Sequence, residues 1–170
     1  MTRKAAAAFL AAGVLGAALC GCAGYRLGTT LPPDIRTIYV PTFVNDSGEP
    51  QVEIDATRAA IDELQRDGTL KVRGETSADV KLVVRLTNFR LEPLRYDTNQ
   101  AKTANEYRLR LTGHLVLTRR ANGEKVVDRW VSGETTFEPG GDLAGAKVAA
   151  IPAAAEDLAH DIVESVVEYW

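Results

Sequence analysis

Residues 106–119 read Glu-Tyr-Arg-Leu-Arg-Leu-Thr-Gly-His-Leu-Val-Leu-Thr-Arg. Tyr107, Leu109, Leu111, Leu115 and Leu117 alternate with Arg108, Arg110, Thr112, His114 and Thr118. That period of two describes an extended strand with one apolar and one wet face. The same alternation runs through residues 79–91, where Val80, Leu82, Val84 and Leu86 point one way and Lys81, Val83, Arg85 and Thr87 the other. Asn122-Gly123, just after Arg119 and Arg120, is hairpin chemistry, so residues 125–137 read as a return strand. The facing of that strand stays open, because Val126 and Val127 are adjacent. Between the first two strands, residues 92–103 are polar, hold Pro93 and Asn99, and read as a loop.

Upstream, residues 35–44 read as another strand, with Ile38 and Val40 alternating with Thr37 and Tyr39. Pro41 cannot donate to a ladder and implies an edge, a bulge or the strand's end. Asn45-Asp46-Ser47-Gly48 is a turn. Residues 52–67 read as a helix with Ile54, Ile61 and Leu64 on one side, Ala60 beside them, and Gly68 as its stop. Residues 69–73 form a short extended piece and 74–77 a turn. Downstream of Pro139-Gly140-Gly141, Asp142 is placed to cap a last helix. Ala155, Leu158, Ala159, Ile162, Val163 and Val166 form its apolar stripe. Pro152 marks a first turn, or a kink following Leu143–Ala150. Strand, helix, three or four antiparallel strands, helix is the order of an α+β two-layer sandwich. Its sheet has about four strands, mostly antiparallel, and two helices pack on one face.

The chain has 170 residues, 45% hydrophobic and 25% charged, which suits one soluble domain with a real core. A formal charge of −3 gives no sign of a nucleic-acid partner.

The first residues differ in kind. Arg3 and Lys4 precede an unbroken run of Ala, Phe, Leu, Gly and Val from Ala5 to Leu19. That run is too short to span a bilayer comfortably and fits the apolar region of a signal peptide. Leu19-Cys20-Gly21-Cys22 follows and resembles a lipobox, with Gly21 at −1 and Leu19 at −3 of Cys22. Cys20 fits poorly, since Leu19 would then sit at −1. The expected organisation is a lipoprotein signal peptide over 1–21, a lipidated tether over 22–34 and one periplasm-facing domain over 35–170. Cleavage removes Arg3 and Lys4, which moves the balance from −3 to −5, and leaves Cys22 as the one cysteine. No internal disulfide can then form, so the core must carry stability. Ala23 after Cys22 resembles an outer-membrane sorting signal, with the chain membrane-bound through its acyl anchor.

No catalytic residues are legible, and nothing calls for a cofactor. Asp157, His160, Asp161 and Glu164 share the polar side of the last helix; they read as a solvated face, with a metal site the sharper alternative. His114 reads as a wet sheet residue. Lys81 and Arg85 have the same outward parity as Arg108 and Arg110 on the next strand. If the strands pair, the four line a basic stripe on the free sheet face. It is either a set of solvated charges or a site for phosphates, which guanidinium groups meet in bidentate fashion.

The lipobox, Gly24-Tyr25-Arg26-Leu27 behind it, and the stretch from Leu31 to Asn45 followed by a helix resemble the lipopolysaccharide-assembly lipoprotein family, LptE. The likeness covers the whole chain after Cys22. It implies an outer-membrane lipoprotein, not an enzyme, with two helices on a four-stranded sheet. Such a protein plugs the large β-barrel of lipopolysaccharide assembly, binds lipopolysaccharide and helps pass it to the outer leaflet. Of its functional residues, only Cys22 carries over directly. Residues 38–45, the helix, and Gly68-Thr-Leu-Lys-Val72 also look like curli-secretion and peptidoglycan-synthase-activating lipoproteins, which implies a scaffolding or regulatory envelope role instead.

Overall fold

A computed structural model describes residues 31–96 and 104–168. The signal segment, Cys22, the Gly24–Leu27 motif and Asn99 lie outside the described residues. The elements are β1 (Thr37–Tyr39), β2 (Val44–Asn45), α1 (Val52–Asp67), β3 (Lys71–Val72), β4 (Val80–Tyr96), β5 (Ala104–Arg119), β6 (Lys125–Phe137) and α2 (Leu143–Val167).

The two-layer α+β sandwich holds, with a richer sheet than expected. Six strands take part, in the order β3-β1-β4-β5-β6, and β2 also pairs with β4. The β4–β5 and β5–β6 pairs are antiparallel, whereas β1–β3, β1–β4 and β2–β4 are parallel. The expected strand over 35–44 is two short strands. Pro41 falls in the break, and the flanking Val40 and Phe43 turn into the core.

Of the polar stretch expected as a loop over 92–103, residues 92–96 are strand, and 97–103 lie outside the described residues. β4 continues to Tyr96 because β5 supplies partners, Glu92 facing Arg108 and Pro93 facing Tyr107. Pro93 is tolerated because β4 has no described neighbour on its other edge there. A bulge between Leu86 and Asn88 switches the parity of β4, so that Phe89 and Leu91 then face the core. A second bulge, at Leu117/Thr118 opposite the start of β6, lets adjacent Val126 and Val127 both turn inward.

The helix expected over 52–67 forms over those residues, but its buried stripe is Val52, Ala56, Ala60 and Leu64. Ile54 is 56% exposed, so the expected apolar side was rotated. Small alanines let α1 approach α2 and the sheet closely. α2 runs unbroken through Pro152, and Asp142 caps it by accepting from the Gly145 amide. It lies across β5 and β6, with α1 beside it. One apolar cluster joins both helices to the inner sheet face, and Leu31 already belongs to it.

Two close fits set the layers. Gly133 of β6 sits directly under α2: a Cβ there would overlap Leu158 N and Ala154 O. Asp79 ties β1 to β4, its Oδ2 accepting from Thr37 Oγ1 at 2.7 Å, Thr37 N at 2.9 Å and Arg36 N at 3.0 Å. The Thr37 hydroxyl, then the Arg36 amide, hold its carboxyl below the usual range.

Candidate functional site

With both helices on one face, the other face of β4, β5 and β6 lies open. Cross-strand register orders it into rows. Lys81 and Thr118 start it at the end where the chain enters; Val83, Val116 and Asp128 follow, then Arg85, His114 and Trp130. Asn88, Thr112 and Ser132 come next, then Arg90, Arg110 and Glu134, and last Glu92, Arg108 and Thr136.

Lys81, Arg85, Arg108 and Arg110 all lie on this open face. They do not form one cluster. Lys81 faces Thr118 while Arg108 sits ten residues earlier on β5, roughly 33 Å away at about 3.3 Å per residue. Nor are they bare. Arg85 pairs with Asp46 and Lys81 with Glu75 at 3.6 Å. Arg110 donates from Nη2 and Nε to Glu134 Oε2, at 2.7 and 3.1 Å. Arg108 Nε, buried and without a hydrogen-bond partner, lies 3.7 Å from Glu134 Oε1. The Arg110 hydrogen bond, with both guanidinium charges, holds the Glu134 carboxyl below its usual range, and Arg110 is raised in turn. The stripe is therefore two separated groups of neutralised cations. Sequence parity placed the side chains on the right face but was silent on their acids, which come from β6, from the turn before β4 and from the loop after β2.

His114 is more than a wet sheet residue. Its Nε2 lies 2.6 Å from Asp128 Oδ1, and its ring meets Trp130 at 5.0 Å between centroids. Lys125 Nζ donates to the other Asp128 oxygen at 2.7 Å. The Lys125 hydrogen bond, then that of His114, lower the Asp128 carboxyl. Trp130 is 66% exposed in the middle of this group, and sequence reasoning missed it.

The acidic side of α2 is not a plain solvated face. Asp161 Oδ2 accepts the Ser132 amide at 2.7 Å, and Asp157 Oδ2 accepts the Glu134 amide at 2.8 Å. These amides belong to the outer edge of β6, which has no strand beyond it among the described residues. One helical turn matches two strand residues in length, so carboxylates at i and i+4 reach alternate amides. His160 turns instead toward Glu63 of α1, at 3.6 Å. Among the described residues no three metal-binding side chains converge. No described helix is long and apolar enough to cross a membrane.

Layer order and sheet topology define a small two-layer α+β domain, two helices on one face of a mixed sheet. A hypothetical protein from Chlamydia trachomatis shares the fold at a TM-score of 0.56 and 7% identity, over 79% of this chain and 97% of its own. A minor lipoprotein from Acinetobacter baumannii does so at 0.51 and 14%, over 77% and 91%. A protein from Xanthomonas campestris does so at 0.53 and 12%, over 78% and 86%. These likenesses concern the fold alone. No curated protein matches the chain in sequence. The family model LptE, lipopolysaccharide-assembly, matches residues 35–168, and the chain belongs to that family.

Proposed function

We propose that this chain is an outer-membrane lipoprotein, lipidated at Cys22. It acts without catalysis as plug and assembly partner of the large β-barrel of lipopolysaccharide assembly, and helps deliver lipopolysaccharide to the outer leaflet. The observation that carries this is family membership across both layers of the domain. The open face fits the role. It is broad and mostly polar, and among the described residues it has no large cleft, which suits a protein seated against another surface better than one that encloses a small substrate.

On this reading Arg108, Arg110, Arg85 and Lys81 exchange their acidic partners for lipid A phosphates. Exposed ion pairs are worth little, so the exchange costs little. Phosphate would give the two Arg110 donors that now share Glu134 Oε2 an oxygen each, the bidentate arrangement.

The test is co-purification. The chain is tagged after Trp170, and envelopes are extracted in mild detergent. A large β-barrel in stoichiometric amount is the expected companion. A cell-wall synthase or a secretion pore in its place would replace this reading with a scaffolding or regulatory one.

A further inference from the structure

Trp130 is the most exposed of the large apolar side chains on the described surface, and the fold does not use it. It stands on the open face, on a strand whose inner side is fully engaged with α2. One flank is His114; along β6 it lies between Asp128 and Ser132, with Thr112 and Val116 diagonal to it on β5. Every charge in this neighbourhood is matched. Lys125 and His114 share Asp128, and Arg85 holds Asp46.

That combination selects among ligand chemistries. A phosphate beside Trp130 would have to displace a carboxylate held from two sides, since Asp128 meets both Lys125 and His114. An acyl chain needs a long apolar track, and the apolar surface beside Trp130 ends at Val83 and Val116, with Asn88, Thr112 and Ser132 forming the row on its other side. A sugar ring presents a weakly polar C–H face and a rim of hydroxyls. It needs an open aromatic plane edged by planar donors and acceptors, which this surface offers.

We infer that Trp130 is a stacking platform for a saccharide ring, with Asp128, His114, Ser132 and Thr112 positioned around it to bond the ring's hydroxyls. The inference rests on the reading that this face meets lipopolysaccharide, and it assigns the sugar portion to Trp130. Arg110, four residues from His114 along β5 and so roughly 13 Å away, is left to a phosphate.

The experiment uses the detergent-solubilised full chain with indole nitrogens labelled, the Trp130 signal being identified by a Trp170→Phe variant. The probes are intact lipopolysaccharide and the acyl-free oligosaccharide released from it. The expected result is a shift of the Trp130 indole signal with both probes. Trp130→Ala should weaken oligosaccharide binding about tenfold, and Trp130→Phe less, because a smaller ring stays. Trp130 is outward, so both variants should keep the parent melting temperature. If lipopolysaccharide binds while the oligosaccharide leaves the indole unmoved and Trp130→Ala binds as the parent does, the platform is refuted and the lipopolysaccharide reading survives. If neither probe binds, both are overturned.

Discussion

Gly133 shows how much one residue decides. It is an inner-face position of β6, where neighbouring Val131 contributes a buried side chain, and it carries none because α2 occupies that space. The helix backbone cannot retreat without lifting Leu158 and Ala154, both fully buried. Gly133→Ala is therefore expected to cost about 3 kcal/mol, the upper end for overpacking, and to lower the melting temperature by several degrees. A thermal melt followed by circular dichroism checks it; an unchanged midpoint would mean that α2 does not lie where it is described. The signal in sequence was faint, since a glycine in a strand marks close approach in general but does not say of what. Gly113 looks alike in sequence, yet its constraint is different and milder: a Cβ there would lie 3.2 Å from Arg85 O.

Among the elements, α2 covers the sheet and also closes its edge. An uncapped β6 would present its outer amides to any passing strand, the usual route to edge-to-edge association. Asp157 and Asp161 occupy two of those amides. Replacing both by Ala should cost roughly 2 kcal/mol, low for charge-assisted bonds because both groups meet solvent. It should also make the domain self-associate. Denaturant titration reads the first effect and sedimentation velocity the second. Unchanged stability together with a strictly monomeric variant would show the bonds to be incidental. The i, i+4 spacing of the pair was plain in the sequence. Its purpose was not, because the acceptors face amides that β6 brings near only when the layers pack.

Across the whole molecule, the two faces of the sheet divide the labour. The inner face holds the core. The outer face carries charge arranged so that each cation of the proposed stripe has an acid nearby. Reversing Arg108 and Arg110 together to Glu tests the outer face without touching the core. The new carboxylates lie opposite Glu92 and Glu134, so a modest loss of stability is expected, and a thermal melt must first show that the variant is folded. If this face meets lipid A phosphates, lipopolysaccharide binding by the full chain should fall at least about tenfold. Equal binding by parent and variant would leave these arginines as structural partners of Glu134 only.

Alternation in residues 79–91 and 106–119, the Asn122-Gly123 turn and the 3.6-residue stripe of α2 determined the layers by themselves. Periodicity is a local property, and each segment has one face to bury. Sequence parity also placed Lys81, Arg85, Arg108 and Arg110 on the face left over. Tertiary structure alone decided what those side chains touch. Ion pairs, edge caps and the parallel pairing of β1, β2 and β3 join residues far apart in the chain, and no local pattern encodes a partner 39 positions away, as Asp46 is from Arg85. Ile54 and Val52 show the same limit within one helix. Both are apolar and two residues apart, and only the position of α2 and the sheet determines which of them is buried.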